Sequence, residues 1–430
     1  MREVTPEEPL RILLLSDKVD HASSDLRGMK PLALLERAGL ALVGVHSIQE
    51  VINSANPKSV DPEDPDSRIR EFARDLNLCD MIVIPQTTSI AWGSLVPYWQ
   101  DELGKVVVID TDDDIRYVSP LSPAYATRGT EEVTVRVRLE DGTEKKVPLW
   151  KDGEKEGDTG QFGDGTKPAK APSVKFSLAD NRIFQKMYLD TMKRADAVTC
   201  PTPRYAETLR KEINPRSYCL PNCLDMDEWK DGRHPGREGF RICWHGGDSH
   251  RIDVMAAAEG LQMFLEKHPD ATFVLVGANL NEWLRCVPPD QLEYWDWASY
   301  DAHSWRLMSL GNDVGLCPVV DHKFNDAKSP LKWTEFGACG VPAICSKHPP
   351  YSDAVRDGED GILVRNTPTE WAEALEKCYN DAVYRKQIGR AARARMEADF
   401  SIYEKAVEWN SVYRKIMADR KAATIVKEVA

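Results

Sequence analysis

Short continuous apolar runs alternate with segments of helical period along the first half of the chain. "RILLLS" precedes "MKPLALLERAG", and "ALVGVHS" precedes a polar stretch and a helix-like segment near Ser67 to Leu76. "CDMIVIP", a segment near Trp92 to Leu103, and "KVVVID" follow. Side chains alternate faces along a strand, so a run apolar at every position suits a parallel strand covered on both sides. The pattern predicts an open α/β sheet. It resumes with a helix from about Ser177 to Arg194, "DAVTCP", a helix from Arg204 and "SYCLPN". A second series starts at "FRICWHG" and runs through "TFVLVG", "EYWDWAS", "DVGLCPV", "VPAIC" and "GILV", with helices between.

Between the two series the period changes twice. "VTVRVRLEDGTEKKVPL" places Val133, Val135, Val137 and Leu139 in strict alternation and then meets Asp141-Gly142, a pair that favours a type I′ hairpin turn. A Gly-, Lys-, Asp- and Pro-rich stretch from Lys151 to about Ser173 reads as a loop, so about 130–175 is an insertion. It is either a variable surface hairpin or a flap that meets an acceptor or partner. Residues 224–239 are polar and rich in Gly and charge, which makes them the linker. The expected organisation is a first Rossmann-like domain at 1–223, a second at 240–400, and a closing helix at 401–430 near the junction. Two such sheets imply a cleft, with ligands at the carboxyl ends of the strands.

Size supports two cores, because 430 residues exceed what one ordinary core fills. The net charge of −13 argues against nucleic-acid binding driven by backbone neutralisation. The insertion has the same balance, with nine Lys or Arg and eleven Asp or Glu between Glu131 and Asp180. No apolar run reaches the roughly 18 residues that a membrane span needs. Ten cysteines are scattered without CxxC spacing, and "MREVTPEEPLRILLLS" is not a signal peptide, so a reducing cytoplasmic location is expected.

Three stretches bear chemistry. In "WHGGDSHRID", Gly246 and Gly247 allow close backbone approach, and Asp248 or Ser249 can cap the next helix. This is an anion site or an ordinary strand-to-helix turn. His245, His250, Asp248 and Asp253 could also hold a metal, although the carboxylates serve equally as caps. In "FNDAKSPLKWTEFGACGVP", Ser329 suits an N-cap and Pro330 position N1, which sets Lys332 in the first turn and Lys328 just outside it. A cation there opposes the helix dipole by roughly 0.3–1 kcal/mol. Spacings of four and three bring Lys328, Lys332 and Glu335 onto one face. Either Lys332 and Glu335 form a surface ion pair, or the lysines meet a diphosphate while Glu335 accepts from ribose hydroxyls. In "IDTDDDI", Asp112, Asp113 and Asp114 end a strand near the cleft, where they could cap the next segment, contact an acceptor hydroxyl or bind a metal. His21 is a further candidate base.

Together these blocks resemble the GT-B glycosyltransferases, in particular the large retaining family with many bacterial and phage members. The likeness rests on "ICWHGGDSHRID", "YDAHSWRLMSLGNDVGLCPVVDHKFNDAKSPLKWTEFGACGVPAICS" and "VRDGEDGILVRNTPTEWAEAL". "LRGMKPLALLERAGLALVGV", "VIDTDDDI" and "RADAVTCPTPRYAETLRK" fit its first half. The resemblance implies transfer of a sugar from a nucleotide-diphosphate donor, a UDP-sugar being expected, to a hydroxyl acceptor with retention. The acceptor would be a glycan, a small molecule or a hydroxymethylated DNA base, in a bacterial or phage-infected cell. It implies no required cofactor or metal. Gly246, Gly247, His250, Arg251, Asp326, Lys328, Ser329, Pro330, Lys332 and Glu335 would bind the nucleotide sugar, with Asp313 near the pocket. Arg27 would reach across the cleft beside Asp112 and Asp114. Lys328, Asp113 and His21 are the catalytic candidates. One departure stands out: Ala327 occupies the position of a glutamate that contacts the donor sugar. It leaves an inactive sugar-nucleotide scaffold as an alternative; a separate reading keeps the fold and makes the enzyme an epimerase or a phosphorylase.

Overall fold

A computed structural model describes residues 8–16, 25–47, 67–85, 90–138, 143–153, 175–230, 239–280 and 284–429. His21, the hairpin turn at 139–142, most of the loop after Lys151 and part of the linker lie outside the described residues. The chain enters with β1 (Leu10–Ser16), β2 (Ala41–Ser47), β3 (Met81–Pro85) and β4 (Val106–Asp110). A hairpin of β5 (Val133–Arg138) and β6 (Glu144–Trp150) follows, then β7 (Ala197–Cys200) and β8 (Ser217–Cys219). The first sheet is all parallel, ordered β2-β1-β3-β4-β7-β8. β3 and β4 are buried at every position, as fully apolar strands covered by helices must be.

The second sheet contains β9 (Phe240–Gly246), β10 (Ala271–Gly277), β11 (Leu292–Trp295), β12 (Val314–Cys317), β13 (Ala343–Ser346) and β14 (Ile362–Val364). It is also parallel, in the order β11-β10-β9-β12-β13-β14. Strand order reverses beside β1 in one sheet and beside β9 in the other. Each reversal leaves a crevice at the carboxyl ends, the usual place for a ligand in such sheets.

Helix starts follow local capping where the polar residue is free to cap. Ser177 and Thr202 accept from the N–H groups of Asp180 and Tyr205, both at 3.3 Å, and open the helices Leu178–Arg194 and Pro203–Glu212. The hairpin is anchored at its base. Leu149 and Trp150 are buried, and the Trp150 ring lies 5.6 Å from Tyr125 and 5.5 Å from Phe176.

The stretch read as a free linker is partly built in. Met226 and Trp229 are buried against the second domain, and Leu224 pairs with the chain where it returns. Leu224 donates to the Phe400 carbonyl and accepts from the Ile402 N–H, each at 2.9 Å. Beyond this double crossing, the helix Ile402–Val429 lays Trp409, Tyr413 and Ile416 against Leu10, Ile12, Leu14 and Leu32. The closing helix therefore completes the core of the first domain. Among the described residues no helix is long and apolar enough to cross a membrane.

Candidate functional site

At the carboxyl ends of β9 and β10 the backbone is stripped to glycine. Gly277 has φ of 100°, and a Cβ there would meet the Gly246 carbonyl at 2.6 Å. A Cβ on Gly246 would sit 3.2 Å from Cε of Lys332, so the lysine lies directly on this turn. Trp297, 60% exposed, closes the side of the turn; a Cβ on Gly277 would touch its indole at 3.4 Å. Glycine here makes room for close approach rather than merely for a bend.

Lys332 belongs to the helix Leu331–Ala338, which begins one residue later than the spacing predicts. Pro330 is the boundary residue, and Ser329 is not an N-cap. Instead the Ser329 hydroxyl accepts from Nδ2 of Asn222, 2.9 Å away in the other domain. A longer-range partner has replaced the local one. Lys328 extends toward the first domain, its Nζ 4.6 Å from the Phe324 ring centroid and 3.9 Å from Asp113. Likewise no side-chain cap opens the helix Arg251–Leu265; a short turn at 248–250 leads into it, and His250 is its boundary.

Beneath Lys332, Glu335 is 5% exposed. One oxygen lies 3.2 Å from Nε2 of His303 and the other 3.5 Å from Nε2 of His245. Burial alone would raise the carboxyl pKa, but His303, His245 and Lys332 outweigh it and hold Glu335 below the usual range. Burial depresses Lys332, and the neighbouring Lys328 depresses it further. Two lysines this close and shielded from water favour an anion between them.

The His250 Nδ1–H donates to Asp253 across 3.0 Å, while Asp253 also accepts from the Val320 N–H and the Asn325 amide. Burial, then Lys332 and Lys328, push His250 down to about 3. Burial does the same to His245, also to about 3. Unfolded imidazoles titrate near 6.5, so between about pH 6.5 and 3 the unfolded chain binds protons that the folded chain refuses. The stability this provides is complete above pH 6.5 and is lost as pH falls through that window. His303 works oppositely: burial resists its charge, but Glu335 raises it, so its contribution is lost as pH rises. At pH 5 each neutral histidine should cost about 2 kcal/mol of stability relative to neutral pH. Calorimetric Tm profiles should show this, and His250→Asn should flatten the acid limb; an unchanged slope would contradict the assignment.

The other expected site residues divide clearly. Asp113 does face the cleft; it lines a cavity of about 100 Å³ with Arg128, Tyr188 and Phe324. A larger neighbouring cavity, about 570 Å³, lies between Tyr117, Arg128 and Glu131 of the first domain and Asp321, His322 and Lys323 of the second. Asp114 is a cap, accepting from the Arg116 N–H at 3.2 Å and pairing with its guanidinium at 2.6 Å. Asp112 sits close enough to Arg27 to support its charge. Arg27 does not cross the cleft. It is 1% exposed and bonded through two nitrogens to Asp110, at 2.9 and 2.5 Å.

Asp313 precedes β12 at the opposite, amino end of the sheet, where it accepts from the Arg241 N–H and pairs with Arg385, both at 3.0 Å. It is structural and remote from the pocket. Arg251 donates to the Leu121 carbonyl at 2.8 Å and so ties the domains together. Asp326 faces His348 at 3.7 Å. Ala327 is 3% exposed within the apolar cluster of the first domain, a place where a carboxylate would be buried without solvent.

His250 and Asp253 pair with each other and do not join His245 in a cluster of candidate metal ligands among the described residues. Among the described residues the structure gathers His245, His303 and Glu335 instead, with ligand atoms within 4.8 Å of one another. A cation there would face the repulsion of Lys332, and Glu335 already pairs with His303, while the buried Nε2 of His245 makes no hydrogen bond to the described residues. His303, Asn222 and Trp297 were not apparent from spacing, because each meets the site through residues distant in sequence. Trp297 carried a weak signal, as a tryptophan inside the predicted run "EYWDWAS"; the strand itself ends at Trp295.

Residues 311–395 match the family model described as glycosyl transferases group 1. The chain also overlays on a glycosyltransferase from Rickettsia africae with a TM-score of 0.59 and 12% identity, covering 95% of this chain and 99% of that one. The chain has the GT-B fold. A second GT-B structure, Anabaena HepE in complex with UDP-glucose, overlays with a TM-score of 0.56 and 12% identity, covering 95% and 99%. In sequence, a D-inositol 3-phosphate glycosyltransferase from Paenarthrobacter aurescens is 40% identical over 211 residues, 38% of this chain and 52% of that one. The chain spans about half the length of the curated relatives it matches. Between the two domains Lys328 approaches Asp113 to 3.9 Å, and Lys332 lies on the Gly246 turn.

Proposed function

We propose that the protein is a metal-independent glycosyltransferase that moves a sugar from a UDP-sugar to a hydroxyl acceptor with retention. The observation that carries this is the placement of Lys328 and Lys332 around a glycine turn at the switch point of the second sheet, with Asp113 opposite. In this reading the diphosphate lies between the two lysines, the Ser329 hydroxyl and the Gly246–Gly247 backbone. The Trp297 indole offers a face to the base, and Glu335 accepts from the ribose. HepE, whose structure holds UDP-glucose, supports the choice of donor.

The bond between the anomeric carbon and the diphosphate breaks as the acceptor oxygen bonds to that carbon from the same face, the course that retention in a single displacement requires. Negative charge grows on the departing diphosphate, so fixed cations in a site closed to water lower the barrier. The acceptor proton passes to the Asp113 carboxylate, already placed at the cleft. A cavity of about 570 Å³ with mixed charge fits a glycan end or a small polyol. Overall acidity disfavours duplex DNA. The glutamate absent at Ala327 removes one sugar contact but none of the diphosphate contacts.

A donor screen tests the function. UDP-sugars are incubated with glycan, polyol and hydroxymethylated-DNA acceptors, and products are read by mass; binding without hydrolysis or transfer over the whole set would favour a scaffold. The ribose assignment is tested by calorimetry with UDP and 2′-deoxy-UDP. Wild type should prefer UDP by about fivefold, a net hydrogen bond of roughly 1 kcal/mol, and Glu335→Gln should largely erase that preference. A preference that survives the substitution overturns the ribose role.

A further inference from the structure

Arg27 and Asp110 lie in the core of the first domain, yet their pairing reaches the second domain through one side chain. The Arg27 guanidinium donates to both Asp110 oxygens and to the Leu220 carbonyl, and it also donates to Oδ1 of Asn222 at 3.0 Å. Asp110 is held in turn by the Thr199 hydroxyl at 2.6 Å. A guanidinium has donors and no acceptor, so chemistry alone decides which end of the Asn222 amide faces it. The oxygen faces Arg27, and Nδ2 must therefore face Ser329 Oγ, 2.9 Å away. An amide nitrogen only donates. The serine oxygen accepts, and its own proton must point elsewhere.

We infer that Asn222 is a positioning residue for the donor site: oriented by Arg27, it occupies the acceptor side of Ser329 and leaves the hydroxyl proton for a diphosphate oxygen. The inference rests on the proposed diphosphate site. Ser329 adjoins Lys328, so the proton is presented beside the cation, and the orientation is set before ligand arrives. A charged core pair in one domain thus fixes the polarity of a hydroxyl in the other. Two domains are brought into register by the same bond, because the acceptor lone pair is available to Asn222 only when they are closed.

The test is UDP affinity by calorimetry, with KM and kcat for any donor the screen identifies. Asn222→Ala should weaken UDP about fivefold and act mainly on KM. Asn222→Asp should cost about 50-fold, since a carboxylate would take the serine proton and add negative charge near the phosphates. Its partner Arg27 keeps a buried countercharge, and circular dichroism checks that the fold is retained. In a Ser329→Ala background the Asn222→Ala loss should vanish. If that loss persists undiminished, or if both Asn222 variants bind UDP like wild type while Lys328→Ala does not, this inference is overturned and the diphosphate reading stands. If Lys328→Ala also binds UDP normally, the diphosphate reading falls and the inference with it.

Discussion

Lys328→Ala should weaken UDP binding roughly 30-fold, the loss of about 2 kcal/mol that one hydrogen bond to a charged group typically contributes. The fold should be unaffected, because the ammonium group meets the Phe324 ring at 4.6 Å and Asp113 at 3.9 Å rather than a partner in the core. Removing it should also lower the salt dependence of binding, since a charge contact to phosphate is screened by ions. Calorimetry at low and high salt measures both. Wild-type affinity in the variant would remove the diphosphate from this end of the cleft. Lys328→Arg should recover part of the binding, because charge is kept while the geometry differs.

Asp110→Ala should be the most destabilising substitution at the cleft floor. It leaves the Arg27 guanidinium, 1% exposed, without its countercharge. Breaking one side of a buried ion pair costs about 3–5 kcal/mol, whereas replacing both sides with apolar groups is often close to neutral. For a domain of this size that corresponds to a fall in Tm of about 10 °C. The double variant Arg27→Met, Asp110→Leu should regain most of this. It should not regain donor affinity, because Asn222 would lose the group that orients it. Equal Tm values for the single and double variants would show that packing, not charge, is at stake.

The sheets were legible because burial on both faces writes itself as unbroken apolar runs, and β3 and β4 are buried throughout. Lys328, Lys332 and Glu335 were legible for a different reason: helical spacing is local, and their placement opposed the dipole. Ser329 looked like a cap because nothing local competes for its hydroxyl. Its actual partner, Asn222, is 107 residues away. Arg27 was misplaced on the same ground. A single arginine gives no sign that Asp110, 83 residues later, will neutralise it inside the core. Among Asp112, Asp113 and Asp114, only the path of the strand end decides which carboxylate caps and which faces the cleft. Local pattern thus reveals elements and helix faces, while the polar partnerships across the two domains depend on closure of the whole fold.

The closing helix has a consequence for biosynthesis. Leu10, Ile12 and Leu14 leave the ribosome early, but Trp409 and Tyr413, which cover them, are made only after the second domain is complete. Synthesis from the N-terminus therefore exposes one apolar layer of the first sheet while Phe240 to Phe400 emerges and can form its own core. The domain that begins first is finished last, and during that interval the uncovered layer is a surface on which a nascent chain can meet a chaperone or another copy of itself.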